Sequence, residues 1–569
     1  MKFVDAVVLA SLMLAIAADV RASTYVVYIP LDSPIYDELD SLDGLGYLDD
    51  YLSEVRPISR VEAARLAREA QRNLDDSERN DPLARELMVS LDAQLAEEIG
   101  WLRANREDDL PTMVQPLSRL EAQGIFTSGG SRYWNTGGTS GLHGVEGTPL
   151  LANNDGLPTG AGTNEVLRWS GWAGFGSFLT GYGEGAAAGP VTRDLSNMDR
   201  LRPLGAEVVL SLGNKAISFG QQEMWWGTGH FAALSQSDNA APFPALRLQN
   251  VHPSLLPWIG KYLGQFRYNV FFGQLDGDRY WAHPWLSGQV FAFKPLPNFE
   301  FGVDHVIMFG GRNNDSYSLA GFFGRATGFN TGSPSSGQTN SRGGIWLKIR
   351  FPKLRGLLVY QEMLGEDNLT SQVPGIGRFL PFLAVSYQGG FYLPYLTRDG
   401  RTDLRFEYTI LEPNYATHSD SLYWTYNSYQ MGDPLGPNAS EIDLALGRWL
   451  SNDLKLTGGL FLTDRAPTWG SNTPYPASVY GPTLVKERSG GVAFDALQIP
   501  AEIGRTIPGL ATVPIPLLGR VPIPVLGSAH ARVSFEYVDH MNYGNTASFR
   551  TMLSISLGLQ PTHDTYSWH

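Results

Sequence analysis

Two periods divide this chain. Up to about Pro111 the apolar residues recur every three or four positions, and from about Thr112 they alternate with polar ones. The first pattern predicts amphipathic helices and the second predicts half-buried strands. Ser33-Pro34 reads as a helix start, proline being suited to the first helical position, with Leu39 and Leu42 on one face and Gly44 as a stop. Ser59-Arg60-Val61-Glu62 has the spacing of a capping box, in which the serine hydroxyl accepts from the Glu62 amide and the glutamate reaches back. Asp81-Pro82 opens a third helix, with Leu83, Leu87, Leu91, Leu95 and Ile99 at four-residue steps. Three such helices predict a small bundle over residues 23–111.

The alternating region predicts strand after strand. Tyr262, Phe266, Tyr268, Val270 and Phe272 share one face. Ile345, Leu347, Ile349 and Phe351 oppose Trp346, Lys348 and Arg350, and Leu404, Phe406, Tyr408 and Ile410 oppose Arg405, Glu407 and Thr409. One face is bulky and apolar, the other charged. A soluble sandwich also alternates, but a membrane barrel turns the apolar face to lipid and the charges to the lumen. Aromatic residues tilt the reading toward the barrel, since 59 of the 66 lie after Pro111 and Tyr and Trp suit membrane interfaces. Tight connections (Gly213 to Lys215, Lys294 to Asn298, Pro352 to Gly356) alternate with long polar ones (Gly310 to Arg342, Leu364 to Gly377, Glu412 to Asn438). Short turns at one end and long loops at the other build outer-membrane barrels. The expected fold is therefore mainly β: a large antiparallel transmembrane barrel of about 18 strands over residues 112–560, with a tail over 561–569. Arg267, Glu300, Asp304, Lys348, Arg350, Arg405, Glu407 and Glu536 should point inward. The near-repeat VPIPLLG and VPIPVLG, from Val513 to Gly527, has too many prolines for a central strand and reads as an extended apolar loop.

Composition supports two architectures. Residues 24–111 carry 21 acidic against 9 basic side chains, whereas 60 of the 63 glycines follow Pro111. The net charge of -14 argues against nucleic acid as a partner. No cysteine is present, so an exported chain would be held by means other than disulfides, such as a closed sheet. Lys2, the apolar run Ala6 to Ala18 and Val20-Arg21-Ala22 read as a signal peptide over residues 1–22, cleaved before Ser23. No later apolar run is long enough for a membrane-spanning helix. Nucleophile-elbow, zinc-helix and phosphate-loop motifs are missing, which argues against an enzyme, and no cofactor or metal is expected.

Gln222 to Asn250 (QEMWWGTGHFAALSQSDNAAPFPALRLQN) joins paired tryptophans, a Gly-x-Gly turn, a Ser/Asp/Asn cluster and a Pro-Phe-Pro step. With YIPLDSPIYDELDSLDGLGYLDD near the start, FRYNVFFGQLDGDRYW at Phe266 to Trp281, LPNFEFGVDHVIMFGG at Leu296 to Gly311, YQEMLGEDN at Tyr360 to Asn368 and YNSYQMGDPLGPNAS at Tyr426 to Ser440, it resembles the Wzi family of capsule-attachment outer-membrane proteins. The resemblance covers most of the mature chain. It implies an eighteen-stranded barrel with plugging loops, a helical bundle at the periplasmic end, and a lectin for surface polysaccharide. The last strand stops near Gln560, short of the terminal aromatic that usually closes such barrels, and the proline doublet also departs from the family pattern.

Polysaccharide binding needs aromatic faces for sugar rings and planar polar groups for hydroxyls. Tyr423, Trp424, Tyr426 and Asn427, at a long-loop border, offer both, and a membrane-interface girdle is their alternative role. Trp225, Trp226 and His230 form a second cluster, with lumen packing as the alternative. The expected function is non-catalytic retention of capsular or exopolysaccharide by a monomer in contact with outer-membrane lipid. Two rivals stay open: a porin-like diffusion channel for sugars, and a surface hydrolase of glycans or lipids.

Overall fold

The computed structural model describes residues 24–560 and 566–568, apart from 80, 107–108, 130–151, 158, 190–200, 278–281, 313–338, 367–384, 413–414, 416–423, 428, 452, 467, 470–472, 475–484, 503–511, 516–518 and 523–525. The signal-peptide reading lies outside these residues.

The N-terminal region folds as helices α1 (Pro34–Leu45), α2 (Arg60–Asp75), α3 (Pro82–Gln94) and α4 (Ala96–Ala104). Ser33 caps α1 through the Ile35 amide, and the helix runs through Gly44 to stop at Gly46, whose φ of 85° places it in the left-handed region that favours glycine. Ser59 accepts from the Glu62 amide at 3.2 Å as its spacing predicts, but the Glu62 carboxylate turns to Arg65 and His252 instead of closing the box. The expected third helix is two, because the backbone leaves helical geometry at Leu95 (φ -118°, ψ 22°). Past that kink Trp101 packs edge-on against Tyr25. Leu39, Leu42, Leu66, Leu87, Leu91 and Leu95 close a core that also takes in Trp449 from the barrel.

The remainder forms eighteen antiparallel strands closed into a barrel. In chain order they are β1 (Thr112–Ser128), β2 (Gly162–Phe175), β3 (Leu179–Gly189), β4 (Leu201–Leu212), β5 (Lys215–Gln221) and β6 (Pro244–Asn250). Next come β7 (Gln265–Gln274), β8 (Trp285–Leu296), β9 (Phe299–Phe309), β10 (Thr339–Phe351), β11 (Leu357–Glu366) and β12 (Val385–Leu393). The last are β13 (Thr402–Leu411), β14 (Ala439–Trp449), β15 (Leu454–Arg465), β16 (Glu487–Glu502), β17 (Leu526–Asp539) and β18 (Ser548–Gln560). Each pairs with its sequence neighbours, and β18 returns to β1 with Leu559 opposite Leu120. Tyr566–Trp568 then pairs with Thr112–Val114, so an aromatic segment does reach the seam, after a gap from the last full strand.

Burial follows the period-2 reading. Arg267, Glu300, Asp304, Lys348, Arg350, Glu407 and Glu536 are buried on the inner face, and Arg405 stacks its guanidinium over Tyr392 inside. Leu347, Ile349, Ile410, Leu462, Ile555 and Leu557 are exposed on the outer face. A soluble monomer rarely exposes a contiguous apolar patch beyond a few hundred Å². An apolar belt right around the barrel is what the wall of a transmembrane barrel presents. Near the bundle end, Phe266, Phe293 and Phe301 stack on this wall with centroids 5.0 Å apart. Tyr262, expected in β7, belongs to a 3-10 turn (Trp258–Leu263) just before it. The proline doublet pairs with itself: Thr512–Ile515 lies antiparallel to Gly519–Pro522 as a ribbon outside the barrel sheet, in the connection from β16 to β17 at the short-turn end.

Ion pairs dock the bundle onto the barrel floor. Lys348 of β10 reaches Glu54 at 2.8 Å, Glu300 at 3.6 Å and Asp43 at 3.8 Å, and Arg350 pairs with Asp43. Burial pushes the Asp43 carboxyl up, but Arg350, Lys348 and Lys294 outweigh it and hold the group down at about 2. Glu54 is likewise held at about 2, its burial overcome by Lys348.

Candidate functional site

The connection from β5 to β6, residues 222–243, leaves the long-loop end of the barrel and folds into the lumen. Buried backbone must find partners, and this segment finds them on both sides. Toward the bundle, Trp225 and Trp226 pair with Arg56 and Val55, the Gly227 amide donates to the Glu54 carbonyl at 3.0 Å, and Glu223 accepts from the Leu31 amide at 2.7 Å. Toward the wall, Glu362 accepts from the Thr228 amide at 2.9 Å, and Glu407 accepts from the His230 and Phe231 amides at 2.8 and 3.3 Å. Gly227 has φ of 143°, and a Cβ there would sit 2.4 Å from a Glu362 oxygen, so the pass between bundle and wall requires glycine.

Two further outer connections lock onto this plug. Ser237 donates from its amide to the Met431 carbonyl at 2.9 Å and from its hydroxyl to Gly432 at 2.7 Å, and Asn239 donates to the Gln430 carbonyl at 3.0 Å. From the β1–β2 connection, the Asp155 amide donates to the Asp238 carbonyl at 2.7 Å, and Asn153 donates to the Phe231 carbonyl at 2.7 Å. Beside the plug, the described residues enclose two cavities. A central one of about 450 Å³ is lined by Trp225, His230, Tyr360, Tyr392, Arg405 and Lys455, among others. A second, of about 390 Å³, lies between the bundle and the β1–β18 seam. Asp32, Asn153, His530 and Arg532 line both, so the two share a wall.

Residues 132–489 match the family described as "Capsule assembly protein Wzi". The chain belongs to this family. The Wzi match spans most of the barrel, including the plug segment, and begins after the bundle. A Klebsiella pneumoniae protein described as an uncharacterized 55.8 kDa protein in the cps region is 25% identical over 189 residues, which cover 33% of this chain and 37% of that relative. The match thus spans little more than a third of the relative's length. Among solved structures, the fold is similar to Escherichia coli Wzi, titled an outer membrane protein involved in group 1 capsule assembly and a carbohydrate-binding β-barrel. The TM-score is 0.63 and the identity 15%, over 94% of this chain and 100% of that one. OprD of Pseudomonas aeruginosa also matches, with a TM-score of 0.42 and 9% identity over 80% of this chain and 96% of its own. The fold of this Wzi-family chain is that of a Gram-negative outer-membrane barrel.

Within this Wzi-family barrel the sequence-selected aromatics divide. Trp226 and Trp424, expected to offer faces to a polymer, are fully buried. The Trp226 ring packs 5.3 Å from Phe271, and the Trp424 ring is covered by the Arg342 guanidinium at 4.3 Å. The burial of Trp424 has a simple cause: the β13–β14 connection dives inward to meet the plug, carrying Trp424 with it. Tyr426 stays half-buried, edge-on to Phe243, and Asn427 is exposed at φ 47° with its amide donating to Asp276 at 2.8 Å. Trp225 is half-buried and His230 opens onto the central cavity. Tyr423 lies outside the described residues. Sequence reading missed the cavity walls, notably Gln115, Ser118 and Trp172; the signal was Pro116 inside an alternating run, since a strand proline marks an edge or a bulge.

Proposed function

We propose that the protein binds capsular or exopolysaccharide and retains it at the outer face of the outer membrane as a monomer, without catalysis. The observation that carries this reading is the plug: in a chain of a capsule-assembly family, a lumen filled by a segment pinned to both bundle and wall suits holding better than conduction. The carbohydrate binding stated for the structurally similar Escherichia coli protein supports the same class of ligand. Tyr426 and Asn427 form the outer contact, Trp225 and His230 a deeper one beneath it. Weak individual contacts suffice, because a polymer engaging many copies multiplies them.

Deletion of the gene tests the reading. Polymer is expected to move from the cell surface into the medium while total polymer stays constant, as measured in separated cell and supernatant fractions. A halt in synthesis would refute retention as the role.

A further inference from the structure

We propose that the cavity at the β1–β18 seam is a second saccharide site, taking an uncharged, hydroxyl-rich stretch of polymer. The inference rests on the polysaccharide-binding reading above and places part of the polymer inside the wall.

Four observations carry it. The pairing of β1 with β2 shifts register between Gln115 and Arg119, a bulge at Pro116 to Ser118. Bulges re-aim side chains, and here Gln115, Ser118 and Arg119 all line the cavity, with the Ser118 hydroxyl 2.9 Å from that of Ser170. Gln115 is only 5% exposed, yet its side-chain carbonyl oxygen has no partner. A buried acceptor without a partner beside a built cavity calls for a donor, and a sugar hydroxyl supplies one once the Gln115 carboxamide turns toward the cavity. The guanidinium groups around the cavity are already matched: Arg119 to Asp32 at 2.6 Å, Arg168 to Asp155 at 2.7 Å, Arg60 to Glu98 at 2.6 Å and Arg532 to Asp495. A charged ligand would have to break these pairs, whereas serine hydroxyls, carboxamides and the Trp172 and Tyr182 rings meet a neutral sugar without doing so. Finally, a volume of about 390 Å³ falls within the range of ligand pockets, roughly 300–1,000 Å³. Exposed Ala93 and half-exposed Glu97 of the bundle form part of its lining.

The test uses the detergent-extracted full chain and di- to tetrasaccharides cut from the producing strain's own surface polymer, with binding read by calorimetry. Gln115→Leu removes the open acceptor and Ser556→Phe fills space, and each is expected to raise Kd about tenfold. Both should keep heat-modifiable gel mobility, and Val89→Ser, on the exposed bundle surface, should bind as the wild type does. Wild-type affinity should barely change with added salt, since no net charge is read; a steep dependence would overturn the uncharged class. Wild-type affinity in both cavity variants, or no fragment binding by a protein that still retains whole polymer on cells, would overturn this site and leave the retention reading standing. If fragments do not bind and gene deletion sheds nothing, both readings fall together.

Discussion

Trp424 and Asn427 are three residues apart and do opposite work. Trp424 is fully buried beneath Arg342, in a cluster with Trp226, Phe243 and Met431. Trp424→Ala should therefore leave a cavity costing about 3–5 kcal/mol, read as a lower melting temperature and faster proteolysis of the plug. Asn427→Ala combined with Tyr426→Ala should release capsule while lowering melting much less than Trp424→Ala, since Tyr426 is half-buried against Phe243 and Asn427 is exposed. A stacking aromatic is worth on the order of 1–3 kcal/mol, by analogy with base stacking. Glu38 carries a separate effect. Burial between α1 and α3 raises its carboxyl to about 8, against hydrogen bonds from Ser90 and Gln94 that lower it. Because the folded pKa is raised, its contribution is full below about pH 4.5 and is lost as pH rises toward 8. Glu38→Gln should flatten this decline, measured as bundle melting by circular dichroism between those limits.

At the scale of elements, the helices hold to the barrel through charge as much as through apolar contact. Lys348 faces Glu54, Glu300 and Asp43, all buried. Lys348→Met removes the shared partner and leaves uncompensated carboxylates, a loss of roughly 3–5 kcal/mol. The expected result is a protease-sensitive bundle on a barrel that still shows heat-modifiable mobility. Asp43, Glu54 and Glu62 are each held at about 2, so their contribution is full above about pH 4.5 and disappears as pH falls toward 2. Acid should accordingly undock the bundle over that window, opposite in sign to the Glu38 effect. The capping serines of α1 and α2 were legible from their spacing. The kink at Leu95 was not, because its leucines continue the four-residue pattern unbroken.

The whole molecule is a wall and a plug, and the plug separates retention from conduction. Wild-type protein in planar bilayers should show little conductance, and deletion of residues 228–241 should raise it while the barrel still assembles. Ohmic current through the intact chain would favour the rival channel reading. The capsule-family reading was legible in the ordered motifs from Trp225 to Ser440, and the family match over residues 132–489 bears it out. The binding surface was less legible, since an aromatic beside a polar loop looks the same whether the loop turns toward water or into the lumen.

The alternation itself determined the most. Successive side chains of an extended strand point to opposite faces whatever surrounds them, so the inward set from Arg267 to Glu536 and the outward set from Leu347 to Leu557 follow from order alone. Helix caps are equally local, being bonds between residues two or three apart. What only the tertiary structure decided are the contacts whose partners lie far along the chain. Glu407 accepts from His230, Glu54 from Gly227, and Arg342 covers Trp424. Each depends on barrel closure bringing wall, bundle and loop within hydrogen-bonding distance, and that closure turned an outer loop into a plug and two candidate binding tryptophans into its core.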